Sequence, residues 1–321
     1  MLETKDLTVD FYTEEGIVKA VRGVDLSVKK GEIVGIVGES GCGKSTLALS
    51  LIRLIDPPGR ISGSIKFNGI DISGMEEKKM PSVRGKQISM IFQDPFSSLN
   101  PVLSIGEQIM ETLRVHEGLD RKEARRRAIT LLKQVKIKDP EERLDQYPHQ
   151  FSGGMKQRIM IAMAIASKPK LLIADEPTTA LDVITGREIM DLLIELRKSL
   201  DMAIILITHN IALASEFSDR FYVMYAGRIM EQGGREVISA SRNPYTYMLL
   251  KCLPDVHKKS EELKVIQGRP PSMLEEIPGC SFSPRCVFLR KICKKSRPEL
   301  CRVSRAHLSR CLRIKEIKFN G

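Results

Sequence analysis

The sequence predicts an α/β fold in which a mostly parallel β-sheet is covered by helices on both faces. Short apolar runs such as EIVGIVG and MAIILITH have the length and the β-branched content of buried strands. Segments with helical periodicity separate these runs, and alternation of strands with helices is typical of a parallel sheet. Hydrophobic residues make up 42% and charged residues 28% of the 321-residue chain, a balance typical of a globular protein.

The elements can be assigned in order along the chain. Residues 1–30 are predicted to form short strands, with a turn near Glu14–Gly16. The later predicted strands are Glu32–Gly38, Gly63–Gly69, Gln87–Gln93, Lys170–Glu176, Met202–His209 and a hairpin in FYVMYAGRIMEQGG. The predicted helices begin at Lys44 and Met155, cover much of Ser104–Arg143 and Ile184–Leu200, and include NPYTYMLLKCL. A polar linker, DVHKKSEELK, then leads into a tail that contains proline and cysteine.

Positive charge is concentrated in the C-terminal tail. The formal net charge is +11, and from Cys280 to Gly321 twelve Lys and Arg residues stand against two Glu residues. The N-terminus is acidic without a long apolar core, and no segment has the roughly eighteen apolar residues of a membrane span, so we expect neither a secretory signal nor a transmembrane helix. We therefore expect a reducing cytoplasm, in which clustered cysteines favour metal binding over disulfides.

A glycine-rich loop, GESGCGKST, stands between a predicted strand and a predicted helix. This is the context in which G-x-x-x-x-G-K-[ST] cradles phosphates, because the glycines let backbone N–H groups turn inward and the helix N-terminus adds partial positive charge. Lys44 is expected to reach the β- and γ-phosphates and Ser45 to bind Mg²⁺, whereas Cys42 is interpreted as a small filler. The nucleotide-binding candidates of the loop are Gly38, Ser40, Gly41, Cys42, Gly43, Lys44, Ser45 and Thr46.

Two further motifs have chemistry that suits a bound nucleotide. The buried strand in LLIADEP delivers Asp175 to its polar end, where the carboxylate can hold Mg²⁺ directly or through water. Glu176 can accept a proton from the attacking water, and phosphoryl transfer needs mainly positioning and neutralisation of charge. In FSGGMKQR, Ser152 can cap a helix while Gly153 and Gly154 leave backbone N–H groups exposed to a second anion.

The order of these motifs resembles that of the nucleotide-binding subunits of ABC transporters. The P-loop, IFQDP, FSGG, IADEP, TALD and THN follow one another, and the resemblance covers about Leu2 to Leu250. It implies an ATP-hydrolysing α/β P-loop NTPase of ABC type, with a mixed β core and a helical signature subdomain at about residues 97–165. We expect an ABC ATPase domain over residues 1–254 and a small Cys-rich C-terminal extension over residues 255–321.

The resemblance also implies roles for single residues. Gln93 matches the Q-loop glutamine, which contacts Mg²⁺ or water, and Asp175 and Glu176 match the Walker B aspartate and the general base. Asp182 matches the D-loop, and His209 matches the switch histidine that contacts the γ-phosphate. The implied catalytic residues are therefore Glu176, His209 and Gln93, and the implied Mg²⁺ ligands are Ser45, Gln93 and Asp175.

The adenine ring is expected to stack on an aromatic side chain near the N-terminus. Phe11 stands where the family places this aromatic residue, and Tyr12 is the alternative. An ordinary aromatic residue of the sheet is the other interpretation of Phe11.

The segment from Ser152 to Met155 resembles the signature motif, which caps the γ-phosphate of ATP bound to the opposite subunit. The usual signature, Leu-Ser-Gly-Gly-Gln, begins here with Phe151 and ends with Met155, so the Ser-Gly-Gly core is intact but position 155 lacks the side-chain amide of glutamine. Because the P-loop and the signature face different nucleotides, the resemblance implies a head-to-tail dimer with a second ABC ATPase subunit, identical or a paralogue.

Longer stretches narrow the resemblance to the dipeptide, oligopeptide and nickel importers. They are FQDPFSSLNPVLSIGEQI, YPHQFSGGMKQRIMIAMAIA, NPYTYMLL and GRPPSMLEEIPGCSFSPRC. The implied function is to power the uptake of dipeptides or oligopeptides, and the alternative is nickel or oligosaccharide import by the same family. The implied partners are two membrane permease subunits and, indirectly, an extracytoplasmic solute-binding protein, which places the chain peripherally at the cytoplasmic face of the membrane.

Four cysteines of the tail, Cys280, Cys286, Cys293 and Cys311, have the spacing C-x₅-C-x₆-C-x₁₇-C. In dipeptide-type members of the family, cysteines at these places are associated with a [4Fe–4S] cluster, which takes four thiolates. Nearby arginines and lysines would offset the negative charge of such a cluster. Zn²⁺ in a Cys₄ site and free thiols in a solvated tail are the alternatives, and Cys301 is an extra cysteine that could replace an assigned ligand.

The remaining candidates receive structural interpretations. His116 and His149 are expected at the surface, His307 is expected to be solvated rather than a ligand, and Cys252 is expected in an apolar helical face. The rival function is a nucleic-acid-processing ABC ATPase that uses the basic tail for phosphate contacts. The chain lacks the long coiled-coil or zinc insertions and the second ATPase half of such proteins, so we expect no nucleic-acid partner.

Overall fold

The computed structural model describes residues 1–94, 98–179, 181–252 and 265–317. The chain divides into two compact units, of which the first comprises residues 1–27, 33–73 and 208–321 and the second comprises residues 28–32 and 74–207. The glycine-rich loop and the C-terminal extension both belong to the first unit. Within the described residues, none of the helices combines the length and the apolar content that crossing a bilayer requires.

The described elements have the following bounds. The strands are β1 (Leu2–Thr13), β2 (Gly16–Val28), β3 (Ile33–Val37), β4 (Gly59–Phe67), β5 (Ile70–Asp71), β6 (Ile88–Ile91), β7 (Leu171–Asp175), β8 (Ala203–Thr208), β9 (Arg220–Tyr225), β10 (Arg228–Gly233), β11 (Cys301–Arg302) and β12 (Leu308–Ser309). The helices are α1 (Lys44–Leu51), α2 (Ile105–Glu117), α3 (Arg121–Gln134), α4 (Pro140–Arg143), α5 (Gly153–Ile165), α6 (Val183–Leu200), α7 (Ile211–Phe217), α8 (Glu236–Ser239), α9 (Pro244–Lys251) and α10 (Lys291–Lys295). Short 3₁₀ helices cover Glu77–Ser82, Pro148–Gln150 and Ser283–Arg285.

The first unit contains the strands β2-β1-β4-β5 in one sheet and β11-β12-β10-β9-β3 in another. Strand β3 runs parallel to β9, whereas β9, β10, β12 and β11 are joined by antiparallel pairs, so the β core is mixed as predicted. Every residue of β3 is buried, which explains its uninterrupted apolar sequence.

The second unit contains the parallel strands β8-β7-β6 and a helical region. Helices α2 and α3 pack against each other and against α5. The capping box of Ser104 and Glu107 starts α2, and Gly118, with φ 70°, ends it. The helical region predicted from Ser104 to Arg143 is therefore confirmed.

Two helices begin earlier than the sequence predicts. Helix α5 begins at Gly153 rather than Met155, because Ser152 is its N-cap and accepts a hydrogen bond from the Met155 N–H at 3.4 Å. Helix α6 begins directly after its N-cap, Asp182. Apolar periodicity locates the buried face of a helix, but the cap decides its first residue. The predicted linker at 255–264 and the predicted domain boundary after residue 254 lie outside the described residues.

The C-terminal extension is built into the first unit. Strand β12 pairs with β10, so that Ser309 lies opposite Glu231. Phe282 of the extension is fully buried, and its ring centroid lies 5.3 Å from those of Tyr225 and Tyr245. The extension therefore shares a hydrophobic core and a sheet with the unit that carries the glycine-rich loop.

The prediction that His307 is solvated is wrong. Its side chain is 4% exposed, and Nε2 lies 2.7 Å from the carboxylate of Glu231, which is 0% exposed. The same carboxylate accepts a hydrogen bond from the backbone N–H of Arg242. The prediction relied on the basic composition of the tail, which gives no information about a buried carboxylate, Glu231, on β10. His149 is exposed as expected, whereas His116 is half-buried.

Candidate functional site

The glycine-rich loop joins β3 to α1 and is in close contact with the backbone around it. Gly43 has φ 102°, and a Cβ at this position would lie 2.2 Å from the carbonyl oxygen of Ala20 on β2. Any side chain here would collide with β2 and strain the backbone. The loop leads directly into the N-terminus of α1, whose first N–H groups have no partner within the helix and favour an anion.

Lys44 is buried, and its ammonium group lies inside the loop. Its Nζ donates hydrogen bonds to the carbonyl oxygens of Gly38 and Glu39, both at 2.9 Å. The hydroxyl-bearing and glycine candidates beside it are half-buried or exposed: Ser40, Gly41, Ser45 and Thr46. The loop therefore presents a cation, hydroxyl groups and a helix N-terminus in one place, which is the donor set that a phosphate chain needs.

Cys42 is also buried in the loop. Its side chain is 2% exposed, and burial raises the pKa of its thiol to about 11. A thiol of this pKa is protonated at neutral pH and is therefore a poor nucleophile. Its environment suits packing rather than chemistry.

Two aromatic residues lie at the end of β1. Phe11 is half-buried opposite Gly59 on β4. Tyr12 is 45% exposed, and the guanidinium of Arg60 lies 4.9 Å from the centre of its ring. The Tyr12 ring is thus already in contact with a cation, which makes Phe11 the simpler candidate for stacking on adenine.

Strand β7 carries two carboxylates to its end. Asp175 is 3% exposed and Glu176 is 5% exposed. Glu176 has φ 49°, a value uncommon outside glycine, and its N–H donates to the Ile207 carbonyl at 2.9 Å. The Thr179 hydroxyl donates to the Glu176 carboxylate at 2.6 Å. Both the backbone and the side chain of Glu176 are therefore held in a defined orientation.

Gln93 belongs to the same edge of the parallel strands. Strand β6 ends at Ile91, which pairs with Ala174, so Gln93 and Asp175 follow the carboxyl ends of neighbouring strands. Gln93 is exposed. Ligands of open α/β sheets bind at this edge, and here an amide and two carboxylates follow the ends of adjacent strands.

The start of α5 lies against the start of α6. A Cβ on Gly154 would lie 2.6 Å from Cγ2 of Thr185. Thr185 is held by Asp182, whose carboxylate accepts hydrogen bonds from the Thr185 N–H at 2.9 Å and hydroxyl at 2.7 Å. Both hydrogen bonds lower the pKa of Asp182, and the bond from the backbone N–H has the larger effect. The Ser152–Gly154 segment and Asp182 are therefore close neighbours in the second unit.

His209 directly follows β8 and is exposed. The next residue, Asn210, caps α7 and accepts a hydrogen bond from the Leu213 N–H at 3.0 Å. The Asn210 N–H donates to the hydroxyl of Thr208 at 3.0 Å. His209 therefore stands in a turn that is fixed on both sides while its imidazole remains accessible.

Four cysteines of the extension, Cys280, Cys286, Cys293 and Cys311, line one small cavity. Burial raises the pKa of the Cys280, Cys286 and Cys311 thiols to about 11. Throughout the part of the chain that the structure describes, no three His, Cys, Asp or Glu side chains are grouped as ligands of a metal ion. The thiols thus surround a common space without meeting at a single point.

The other two cysteines in this half of the chain lie elsewhere. Cys301 is exposed on β11, where it pairs with Ser309, and it does not line the cavity. Cys252 follows α9 and is half-buried, and burial raises the pKa of its thiol. Cys311, rather than Cys301, is therefore the fourth cysteine at the cavity.

One residue at the loop was missed by sequence reasoning. Arg285 directly precedes Cys286, yet its side chain is in contact with Glu39 of the glycine-rich loop. In the sequence, Arg285 is one of twelve basic residues in the tail, and 246 positions separate it from Glu39. The residues next to Arg285 or Glu39 in the sequence do not indicate this pair, so predicting it would require information that links positions far apart in the chain.

Comparisons with known proteins agree with this geometry. Residues 21–179 match the ABC transporter family, and residues 230–293 match the family described as oligopeptide/dipeptide transporter, C-terminal region. The dipeptide transport ATP-binding protein DppD of Escherichia coli is 47% identical over 97% of this chain and 96% of its own length. DppD of Haemophilus influenzae is 47% identical over 94% of this chain and 92% of its own.

Solved structures show the same fold. The ATP-binding cassette MJ0796, solved as a dimer in a post-hydrolysis state with ADP and Pi, is 31% identical with a TM-score of 0.66, over 73% of this chain and 99% of its own. The cbiO1 protein of Clostridium perfringens, part of the ABC transporter complex cbiONQ, is 32% identical with a TM-score of 0.63, over 75% of this chain and 91% of its own. These similarities confirm the cassette fold that the motifs predicted.

Proposed function

This chain belongs to the ATP-binding proteins of ABC transporters that carry the oligopeptide/dipeptide-type C-terminal region, and we propose that it hydrolyses ATP to power the uptake of dipeptides or oligopeptides. The proposal depends on one observation: the same chain contains both a phosphate loop with a buried lysine and this C-terminal region. Relatives named for dipeptide transport match nearly the whole chain at 47% identity.

ATP is assigned to the loop between β3 and α1. Lys44 would give its ammonium to the β- and γ-phosphates, and the α1 N-terminus would add N–H donors. The ring of Phe11 would stack on adenine. The remaining loop residues in contact with the phosphates would be Gly38, Ser40, Gly41, Cys42, Gly43 and Thr46.

Ser45, Gln93 and Asp175 would hold Mg²⁺. Their hydroxyl, amide and carboxylate oxygens are the hard ligands that this ion prefers, and Gln93 and Asp175 follow neighbouring strand ends. When bound, the ion neutralises charge on the phosphate oxygens.

Glu176 would serve as the general base. Its carboxylate would take the proton of the attacking water, while the Thr179 hydroxyl keeps that carboxylate in place. His209 would contact the γ-phosphate and Gln93 would orient the water. These roles require side chains with fixed orientation, which the hydrogen bonds of Glu176 and the turn around His209 support.

A second ABC ATPase subunit would complete the site in a head-to-tail dimer. Ser152, Gly153 and Gly154 at the start of α5 would cap the γ-phosphate of the partner's ATP, with Asp182 beside them. The dimer in which the MJ0796 cassette was solved supports such an arrangement. Met155 leaves the backbone of this motif available but offers no amide side chain to the partner's nucleotide.

The remaining partners lie in and beyond the membrane. Two permease subunits would bind this protein at the cytoplasmic face, and a solute-binding protein would deliver peptide from the other side. The names of the DppD relatives support peptide transport over nickel or oligosaccharide import. They likewise disfavour a nucleic-acid-processing role for the basic tail.

The extension, residues 255–321, would form a Cys-rich module attached to an ATPase domain of residues 1–254. Cys280, Cys286, Cys293 and Cys311 would bind a [4Fe–4S] cluster, whose iron takes four thiolates. Zinc in a Cys₄ site is the alternative. A cluster is wider than one ion, which suits thiols spread around a cavity.

Reconstituted transport tests the proposal. The chain is placed in vesicles with the permease subunits and the second ATPase subunit of the same transporter, together with the solute-binding protein and a labelled dipeptide. We expect uptake that depends on ATP and that Lys44→Ala abolishes. Uptake that is equal with and without ATP would contradict the proposal, and so would ATP hydrolysis that no peptide-loaded binding protein stimulates.

A further inference from the structure

An ion pair joins the phosphate loop to the C-terminal extension. Nη1 of Arg285, in the extension, donates hydrogen bonds to both carboxylate oxygens of Glu39, each at 3.0 Å. The Arg285 side chain is 4% exposed and that of Glu39 is 23% exposed. A pair this well shielded from water depends on both partners, because either charge alone would lose its compensation.

The guanidinium of Arg285 is held on its other sides by neutral groups. Nε donates to the carbonyl of Gln267 at 3.0 Å, and Nη2 donates to the carbonyl of Ile266 at 3.2 Å. Nη1 also lies 3.3 Å from the hydroxyl oxygen of Tyr225. Arg285 is therefore a fixed part of the extension that faces the loop, unlike exposed basic residues of the extension such as Arg290.

Glu39 is fixed at three points. Arg285 holds its carboxylate, its N–H donates to the hydroxyl of Tyr245 at 3.0 Å, and its carbonyl accepts from Nζ of Lys44 at 2.9 Å. Tyr245 is fully buried beside Phe282 of the extension. The extension is therefore linked through a single loop residue, Glu39, to Lys44, the lysine that is proposed to bind phosphate.

The charge of Glu39 needs this partner for a second reason. A carboxylate in a loop that binds a triphosphate repels the phosphate oxygens, and the repulsion grows as water is excluded. The guanidinium of Arg285 offsets that charge at 3.0 Å. Without it, the loop would keep its lysine but would also carry an uncompensated negative charge.

We propose that Arg285 is a positioning residue of the nucleotide site, which orients Glu39 and offsets its charge so that the loop binds Mg·ATP. The C-terminal extension then contributes to nucleotide affinity. The inference goes beyond peptide import and rests only on the proposal that the loop is the ATP site.

The test measures the affinity of the purified full-length chain for Mg·ATP with a fluorescent ATP analogue. Arg285→Ala should raise the Kd about tenfold, because it removes hydrogen bonds between charged groups. Arg285→Ala combined with Glu39→Gln should bind more tightly than Arg285→Ala alone, because the uncompensated charge is gone. A purely structural role of Arg285 in the extension would not be rescued in this way. The matched control is Arg290→Ala, at an exposed arginine of the same extension, which should bind as the wild type does.

The outcomes are distinguishable. Wild-type affinity of Arg285→Ala would overturn the inference, and so would equal weakness of the single and double variants. If Arg285→Ala does not fold, Arg285→Gln with and without Glu39→Gln gives the same two comparisons. If the wild type itself does not bind Mg·ATP, the proposed function fails, which is a separate result.

Discussion

The hydroxyl of Thr179 lies 2.6 Å from the carboxylate of Glu176 and donates a hydrogen bond to it. Glu176 is 5% exposed, and its positive φ of 49° turns the chain away from β7 at this residue. Thr179 therefore keeps the proposed general base in one orientation at a point where the strand no longer constrains it.

Replacing Glu176 with Gln should lower ATP turnover by about 100-fold or more, because the amide cannot accept the proton of the attacking water. Mg·ATP binding and ATP-driven dimerisation should persist, since the amide has nearly the shape of the carboxylate. Phosphate release and size-exclusion chromatography with ATP measure the two effects. Turnover at the wild-type rate would exclude Glu176 as the base.

Replacing Thr179 with Val should lower turnover about fivefold and leave the Kd for Mg·ATP unchanged, because one hydrogen bond to the base is lost while the volume is kept. Steady-state kinetics separate kcat from KM. Thr179→Ser is the control and should stay close to the wild type, since it retains the hydroxyl. A Ser variant as slow as the Val variant would show that the hydroxyl is not what matters.

Replacing Gly43 with Ala should abolish Mg·ATP binding, because the new Cβ would lie 2.2 Å from the Ala20 carbonyl oxygen and force the loop to move. Gly31→Ala is a matched control, since Gly31 also has a positive φ, 68°, but has no atom within 4 Å of the added carbon. The control should lose about 1 kcal/mol of stability and keep its affinity. Equal affinities of the two variants would contradict the close-contact argument.

Replacing His307 with Ala should lower the free energy of unfolding by about 3 kcal/mol, because the Glu231 carboxylate would stay buried while losing the imidazole that pairs with it. Adding Glu231→Gln should recover part of this loss, since no charge is then left in the interior. Urea unfolding monitored by circular dichroism measures both variants. His149→Ala, at an exposed histidine, is the control and should be neutral. A loss of stability that is the same for both histidines would refute the role of the pair.

The metal-free, reduced protein should lose stability as the pH rises from about 9 to about 11. Burial raises the pKa of the Cys280, Cys286 and Cys311 thiols from 9.0 to about 11, so in this window the folded state binds more protons than the unfolded state. The contribution is fully present below pH 9 and is lost as the pH rises through the folded pKa. The urea midpoint between pH 8 and pH 10.5 measures it.

A matched pair of variants isolates the buried thiols from other groups that titrate in this range. Cys311→Ser should make the pH dependence weaker, because one buried thiol is gone. Cys301→Ala, at an exposed cysteine outside the cavity, should leave the pH dependence unchanged. Identical pH dependence in the wild type and Cys311→Ser would contradict the prediction.

Local patterns predicted most of the cassette. The run Glu32–Gly38 gave β3 because a strand buried on both faces is apolar throughout, and GESGCGKST gave the loop because its glycines are required by close backbone contacts. The helical region after Ser104 was predicted because apolar periodicity and charge both persist over many residues. In each case the physical cause lies within a few residues of the pattern.

Contacts between distant segments could not be predicted. The burial of His307 depends on Glu231, and the role of Arg285 depends on Glu39, partners that are 76 and 246 positions away. Judged only from its neighbours in the sequence, each of these residues resembles an ordinary polar residue of the surface. Phe282 likewise gives no sign in the sequence that it completes the core beneath Tyr225.

The pairing of β12 with β10 has a consequence for shortened forms of the protein. A chain cut before the extension would leave β10 as an exposed edge strand with unpaired amide and carbonyl groups, next to aromatic side chains that Phe282 no longer covers. Such an edge strand can pair with strands of other molecules, which favours aggregation. Dissecting this transporter subunit by truncation would therefore yield insoluble material, and its tail is better studied through point substitutions in the intact chain.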